Sequence, residues 1–186
     1  MSIPVRHRAN ITKPSQPRIY FVTSKTAQGK CLLQSAPMAN LLIDVLRQNT
    51  AAGKFTVHEF VVMRNHFHAL LKVPSGMTVE RAVQLIKGGF SYRAKKELGF
   101  NGEIWQKGFS DVRITDRETF ARRVEYIAAN PVKAGYASSA GEYSYGSAHL
   151  RHIKNGEAKS AHDPAHGSKP RPNPVAEAQP PRSLTV

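Results

Sequence analysis

The stretch VVMRNHFHALL (residues 61–71) places two histidines, His66 and His68, two positions apart inside an otherwise apolar run. Such a run is typical of a β-strand, in which residues i and i+2 point to the same face of the sheet. The two imidazoles are therefore predicted to project together, while Phe67 between them points into the core. Two imidazoles side by side form half of a metal site, and the other half must come from elsewhere in the chain. The plainer alternative is that both histidines are ordinary polar residues beside a hairpin turn.

Seven secondary-structure elements are predicted around this stretch from hydrophobic periodicity and turn residues. They follow the order strand, helix, strand, strand, helix, strand and helix, over residues 19–23, 36–50, 55–63, 66–73, 79–98, 112–114 and 117–130. Ser35, Thr78 and Asp116 are placed to cap the three helices. A kink that interrupts the second helix is expected at Gly88-Gly89, and the third helix is expected to end at Pro131.

The first six elements have the order of the split βαβ-β-α-β arrangement. The predicted fold class is therefore α+β, a ferredoxin-like (RRM-like) antiparallel sheet with helices on one face. Residues 1–17 are polar and basic and are predicted to form an N-terminal arm, so the folded domain is assigned to residues 18–154. From Asn155 the chain is rich in Pro, Ala, Ser, Gly and His without apolar periodicity, and residues 155–186 are predicted to be a disordered tail.

The chain carries a large positive charge, with 27 Lys and Arg against 13 Asp and Glu. The predicted tail has four basic and three acidic residues, which leaves about 13 of the 14 excess positive charges on residues 1–154. A folded domain with this much positive charge is expected to bind a polyanion, most often nucleic acid. Solubility alone is the plainer explanation of the charge.

Cysteine content and hydropathy exclude other classes of protein. Cys31 is the only cysteine, which excludes internal disulfides and a cysteine-based zinc cluster. No apolar run approaches the roughly 18 residues of a membrane-spanning helix, and the N-terminus lacks the apolar region of a signal peptide. The sequence therefore predicts a cytoplasmic protein, associated with the nucleoid if its partner is DNA, and no membrane partner.

The third predicted helix offers what the histidine pair lacks. Tyr126 and Asn130 are four positions apart and therefore lie on one face of that helix. A tyrosine hydroxyl is a poor nucleophile until its charge is stabilised, and a divalent cation held by two imidazoles and a side-chain oxygen would polarise a phosphate in front of it. Such a ligand set suits Mg²⁺ or Mn²⁺, of which Mn²⁺ accommodates imidazole better. On their own, Tyr126 also fits a packing residue and Asn130 a helix cap.

Several ordered motifs make the chain resemble a known family. They are YFVTS from residue 20, VMRNHFH from residue 62, IKG from residue 86, IWQKGFSD from residue 104, YIAANPVKAG from residue 126 and YSYGS from residue 143. Together they cover about residues 19–148 and resemble the REP-associated tyrosine transposases, a branch of the single-tyrosine HUH transposases.

This resemblance implies an HUH endonuclease fold with a C-terminal catalytic helix. It implies that His66, His68 and Asn130 bind a divalent metal and that Tyr126 is the nucleophile. The family cleaves single-stranded DNA beside a small hairpin, forming a covalent 5′-phosphotyrosine and a free 3′-hydroxyl, and its relatives are monomers or homodimers. One departure is Arg64, which stands where the family usually has proline and would help to hold a phosphate.

Contacts to DNA are also predicted on the surface. The candidates for binding phosphates are Arg64, Lys87, Arg93, Lys95, Lys96 and Arg113, and Trp105 is a candidate for stacking on a base. Each charged residue also fits a solvated surface position, and Trp105 also fits the core.

The leading functional prediction is a metal-dependent, single-tyrosine transposase that cleaves and joins single-stranded, hairpin-forming DNA. The alternative from another class is a host-adopted, non-catalytic nucleic-acid-binding module. A metal-dependent hydrolase of small phosphates is a weaker alternative, because the chain is basic and has no nucleotide-binding loop.

Overall fold

A four-stranded sheet with helices on both faces organises the chain. The computed structural model describes residues 15–160, with side chains up to Ile153. The strands are β1 (Arg18–Lys25), β2 (Thr56–Met63), β3 (His66–Val73) and β4 (Ser110–Ile114), and the helices are α1 (Ala36–Ala51), α2 (Val79–Leu98), α3 (Arg117–Lys133) and α4 (Ser147–Ser160). The strand order is β2-β3-β1-β4, and each neighbouring pair is antiparallel. This is the order of a ferredoxin-like sheet, so the predicted α+β fold class is confirmed.

Alternation of side chains along the strands separates two cores. On one face, Val22, Phe67 and Leu71 pack against α1 and α2, which contribute Leu42 and Phe90. The smaller core on the other face joins the sheet to α3 and consists of Phe21, Val61, Met63, Leu70, Ile114 and Ile127. Full burial of one such side chain contributes about 2 kcal/mol to the stability of the folded state. The predicted placement of helices on one face therefore holds for α1 and α2, while α3 covers the opposite face.

Two of the three predicted helix caps are confirmed. Thr78 Oγ1 accepts a hydrogen bond from the Arg81 amide at 3.3 Å, and Asp116 Oδ1 accepts one from the Thr119 amide at 2.7 Å. Ser35 occupies the position before α1, but its side chain makes no capping hydrogen bond, so that prediction was wrong. A proline in the first turn of α1 already removes one of the amides that such a cap would serve.

The predicted end of α3 at Pro131 was wrong, and α2 is not interrupted at Gly88-Gly89. α2 runs unbroken through Gly88-Gly89, because Ile86 and Phe90 on either side are fully buried and fix the helix against the core. α3 continues past Pro131 into a final turn. A proline there removes one intrahelical hydrogen bond, and the bonding resumes where the Asn130 carbonyl accepts an amide at 3.0 Å.

The segment after α3 lies along the outer edge of β2. The Val62 amide donates to the Tyr145 carbonyl at 2.9 Å, and the Tyr143 hydroxyl donates to the Val62 carbonyl at 2.7 Å. Arg151 of α4 forms an ion pair with Glu59 of β2, whose side chain is buried. These contacts tie the C-terminal part of the domain to the sheet.

Among the described residues, α4 is the one α-helix that is missing from the sequence prediction. It runs to Ser160, so the first six residues of the predicted disordered tail are helical, and the boundary at Asn155 was wrong. Its docking depends on a partner 92 positions away in the chain, which no local pattern shows. Residues 1–14 and 161–186 lie outside the described residues, so the rest of the predicted arm and tail stays a prediction. No helix within residues 15–160 is long and apolar enough to cross a membrane.

Candidate active site

The two histidines of β3 project together from the sheet face that α3 covers. The ring centroids of His66 and His68 are 4.8 Å apart, with the ring planes at 75°. His68 is buried and His66 is half-buried, while Phe67 between them is fully buried in the core on the other face. The predicted alternation along this strand is therefore confirmed.

Each histidine is held through its Nδ1 atom. Thr23 Oγ1 lies 2.7 Å from Nδ1 of His68, its partner in the β1–β3 register. Asn65 Oδ1 lies 2.7 Å from Nδ1 of His66, and the Asn65 side-chain nitrogen donates to the Gly29 carbonyl at 3.4 Å. Because a carboxamide oxygen only accepts hydrogen bonds, Nδ1 of His66 carries the proton and Nε2 carries the lone pair. Metal-binding histidines are usually held in this way.

Burial and positive neighbours keep both imidazoles neutral. Burial is the main cause that lowers the pKa of His68 to about 3, and electrostatic repulsion from His66, Lys25 and Arg123 adds to this lowering. Burial also lowers the pKa of His66, with Lys25 adding to the effect. A neutral imidazole offers a lone pair to a cation, so the pair is in its ligand form at physiological pH.

Acidification is expected to destabilise the cation-free protein through His68. The folded pKa is about 3 against an ordinary value of 6.5, so the unfolded chain binds more protons between these values. The stabilisation from neutral His68 is present above pH 6.5 and is lost as the pH falls. The free energy of unfolding is expected to decrease by about 2 kcal/mol between pH 7 and 5. Urea unfolding in a chelator should therefore show a weaker pH dependence for His68→Gln than for the wild type. Equal dependence in the two proteins would contradict this assignment.

Tyr126 of α3 lies against the histidine pair. Its ring centroid is 5.4 Å from that of His68 and 5.7 Å from that of Phe21, both in edge-to-face arrangements. Phe21 in turn stacks on His68 at 5.3 Å. Tyr126 is 39% exposed, and within the described residues its hydroxyl has no hydrogen-bond partner. The structure therefore brings three of the predicted site residues together, with the tyrosine partly exposed to solvent.

Asn130 lies one helical turn beyond Tyr126. Its side-chain nitrogen donates to the Tyr126 carbonyl at 3.1 Å, which leaves Oδ1 as an acceptor. This hydrogen bond is within its own helix, and no hydrogen bond joins Asn130 to either histidine among the described residues. The structure thus places Asn130 on the same helix as the nucleophile candidate, one turn further along.

The chemistry of these donors fits a divalent cation. His66 and His68 each have Nε2 available, and Asn130 has a free amide oxygen. The part of the chain that the structure describes contains no group of three His, Cys, Asp or Glu side chains able to hold a metal. An amide oxygen such as Asn130 Oδ1 is a type of donor that Mg²⁺ and Mn²⁺ accept.

Two residues predicted to bind DNA have structural contacts instead. Trp105 is buried against Phe67 and Phe90, and its indole N–H donates to the Lys87 carbonyl at 3.1 Å. This core position corrects the predicted role in base stacking. The Lys87 ammonium group donates at 2.8 Å to two carbonyls of the loop before β4, so it holds that loop.

Helix α2 carries three more of the predicted phosphate-binding residues. Arg93 forms ion pairs with Asp44 of α1 at 2.5 Å and with Glu97 at 2.6 Å. Hydrogen bonds to Glu97 and Asp44 raise its pKa, and the guanidinium links the two helices rather than facing open solvent. Lys95 and Lys96 are exposed, but α2 lies on the sheet face opposite the histidines.

The remaining two candidates are surface arginines. Arg64 lies in the turn between β2 and β3, next to the histidine pair, with its guanidinium carbon 4.1 Å above the ring of Tyr136. Arg113 is exposed on β4, at the edge of the sheet. Both stay predictions as DNA-binding residues.

The sequence prediction missed three basic residues at the site. Arg122 and Arg123 precede Tyr126 by four and three positions, and together with Thr119 they line an open cavity of about 370 Å³ beside the tyrosine. Lys25 pairs with the first histidine of β3 in the strand register. The spacing of the two arginines from the tyrosine was the available signal, since residues three and four apart share a helix face.

The chain is thus a basic α+β domain with a ferredoxin-like sheet, a histidine pair on a central strand and a tyrosine on the helix that covers it. The family model described as "Transposase IS200 like" matches residues 18–130. The chain therefore belongs to the IS200-like transposase family, and the predicted resemblance is confirmed.

One curated protein and two solved structures are similar to this chain. The chain is 26% identical over 125 residues to a Haemophilus influenzae protein assigned as a REP-associated tyrosine transposase, covering 58% of this chain and 71% of that protein. The structure of a REP-associated tyrosine transposase bound to a REP hairpin superposes with a TM-score of 0.62 at 22% identity, covering 82% of this chain and 87% of the other. A Deinococcus radiodurans protein assigned as a transposase gives a TM-score of 0.46 at 20% identity, covering 66% and 95%. At 22% identity, the structure with the TM-score of 0.62 supports the assignment of the fold.

Proposed function

We propose that this transposase is a cation-dependent, single-tyrosine endonuclease and strand transferase that acts on single-stranded DNA beside a hairpin. The observation that carries the proposal is the position of Tyr126, whose ring centroid is 5.4 Å from that of His68 and which is 39% exposed. A nucleophile beside two neutral imidazoles and two arginines matches what phosphoryl transfer requires, namely an aligned attacking oxygen and positive charge near the phosphate.

The reaction transfers a phosphodiester from DNA to the protein. The Tyr126 hydroxyl oxygen attacks the phosphorus and loses its proton to solvent, while the bond from phosphorus to the 3′-oxygen breaks and that oxygen takes up a proton. The products are a 5′-phosphotyrosine and a free 3′-hydroxyl. Because one phosphodiester replaces another, attack by a second 3′-hydroxyl reverses the step and joins a new strand without an external energy source.

His66, His68 and Asn130 are the residues that would hold the cation, through Nε2 of each imidazole and Oδ1 of the amide. When bound, Mg²⁺ or Mn²⁺ supplies Lewis-acid stabilisation of the charge that develops on the phosphate. Thr23 and Asn65 fix the orientations of the two rings, so that both lone pairs are presented from a rigid strand. The low pKa of His68 keeps protons from competing for this position.

The proposed substrate follows from charge and from the relatives. The excess of positive charge on the folded domain favours a polyanion, and a structurally similar protein is bound to a REP hairpin. Single-stranded DNA with a hairpin is therefore the proposed partner, which the protein engages as a monomer or a homodimer in association with the nucleoid.

Covalent capture tests this proposal. A pool of DNA hairpins with randomised single-stranded flanks, labelled at the 3′ end, is incubated with the protein and Mn²⁺ or Mg²⁺ and run on a denaturing gel. The expected result is a labelled protein–DNA species that forms with the cation, is absent with a chelator and disappears after protease treatment. A pool labelled at the 5′ end should instead release a free labelled fragment. Binding without any covalent species would overturn the proposal and favour a non-catalytic nucleic-acid-binding module.

A further inference from the structure

The cavity beside Tyr126 has the chemistry of an anion-binding site. It is lined by Thr119, Arg122, Arg123 and Tyr126, which occupy one stripe of α3 because they are spaced three, one and three positions apart. Two guanidinium groups and no carboxylate line it. A guanidinium carries five N–H donors and no acceptor, in a planar arrangement that matches a phosphate.

The side chains that line the cavity differ in whether their polar groups already have partners within the protein. Arg122 forms an ion pair with Glu118 at 3.1 Å. The Thr119 hydroxyl donates to Asp116 at 2.9 Å and accepts a hydrogen bond from Arg122 at 3.4 Å. Arg123, in contrast, has no carboxylate within ion-pair distance among the described residues.

Arg123 is nevertheless held in place. Its guanidinium carbon lies 4.7 Å above the ring of Phe21, the same ring that packs against Tyr126 and His68. Stacking on an aromatic face uses the flat side of the guanidinium and leaves its N–H edges available for hydrogen bonds. The arginine is therefore held beside the nucleophile, and its N–H groups have no hydrogen-bond partner in the described part of the chain.

We infer that Arg123 binds a backbone phosphate of the single strand and holds it beside the Tyr126 hydroxyl. Phe21 acts as the support that orients the guanidinium. The inference rests on the proposed function for the identity of the ligand, a DNA strand, but it needs neither cleavage nor a bound cation. In this role Arg123 is a positioning residue, and its contribution is both to affinity and to the alignment of the attacked phosphate.

The test separates binding from chemistry. Arg123→Gln and Arg123→Lys are made in a Tyr126→Phe background, and binding of the hairpin pool is followed by fluorescence anisotropy in a chelator over a range of salt concentrations. Arg117→Gln is the matched control, because Arg117 is an exposed residue of the same helix. One phosphate contact to a single strand contributes about 0.7 to the slope of log affinity against log salt concentration. Arg123→Gln is therefore expected to reduce the magnitude of that slope by about 0.7 and to weaken the affinity about fivefold at 0.1 M salt. Arg123→Lys should keep most of the slope.

A second measurement reports on alignment. With the Tyr126 hydroxyl present, Arg123→Lys is expected to slow formation of the covalent species about tenfold at saturating DNA, because a lysine offers a point charge and not a bidentate fork. Equal losses of affinity and slope for Arg123→Gln and Arg117→Gln, or no loss for either, would overturn the inference. The binding arm can succeed while no covalent species forms in the wild type, so failure of the proposed reaction and failure of the phosphate site give different results.

Discussion

Tyr126→Phe is expected to abolish formation of the covalent protein–DNA species, lowering its rate by at least about 10⁴-fold. The substitution removes only the hydroxyl oxygen that would attack phosphorus. The phenyl ring retains the edge contacts with Phe21 and His68, and the hydroxyl has no partner among the described residues, so folding should be unaffected. The affinity for the hairpin pool is therefore expected to remain within about twofold of the wild-type value. The two measurements are the denaturing gel and fluorescence anisotropy.

Tyr136→Phe is the matched control for this experiment. Tyr136 is 37% exposed, close to the 39% of Tyr126, and lies just after the end of α3 with its ring beneath the Arg64 guanidinium. Its loss of a hydroxyl is expected to leave the covalent species unchanged. An undiminished covalent species in Tyr126→Phe would exclude this residue as the nucleophile, and loss in Tyr136→Phe alone would point to the wrong tyrosine having been assigned.

His66→Ala is expected to weaken cation binding by at least about 100-fold, since it removes one of two imidazole ligands. His66 is the better of the pair for this test because it is half-buried, whereas truncation of the buried His68 leaves a cavity and an unpartnered Thr23 hydroxyl. Titration calorimetry with Mn²⁺ measures the affinity, and the covalent species should decrease in parallel at a fixed, sub-saturating cation concentration.

The control for the cation experiment is another histidine of the same sheet. His58 lies on β2 and its ring contacts Phe120 at 5.5 Å, on the same side of the sheet as α3. His58→Ala is expected to leave the Mn²⁺ affinity unchanged. Unaltered affinity in His66→Ala would place the cation elsewhere and remove the histidine pair from the proposed mechanism.

Local periodicity predicted the parts of the site that depend on a single element. The two-residue period of β3 gave the joint projection of His66 and His68, and the helical period gave a shared face to Tyr126 and Asn130. The contacts of Thr23 depend instead on the register of β1 against β3, which pairs it with a histidine 45 positions away. Such a register results from the packing of the whole sheet and cannot be read from either strand alone.

The same limit explains the residues whose roles changed. The sequence around Trp105 has the pattern of a loop. Its burial depends on the packing of α2 against the sheet, which places Phe90 against the indole ring. Arg93 has the pattern of a solvated charge until α1 brings Asp44 to it. Arg123 was overlooked for the opposite reason: a pair of arginines on a helix resembles ordinary surface charge, and its significance depends on Phe21 from a different element.

The burial of Trp105 has a practical consequence for studying this protein. It is the only tryptophan in the chain, and it packs on Phe67 and Phe90 in the core that lies across the sheet from the histidines and Tyr126. Its intrinsic fluorescence should change strongly when the domain unfolds and little when DNA or a cation occupies the opposite face. The chain therefore contains its own fluorescent reporter of folding. Its signal distinguishes a variant that has lost only its activity from one that has lost its structure.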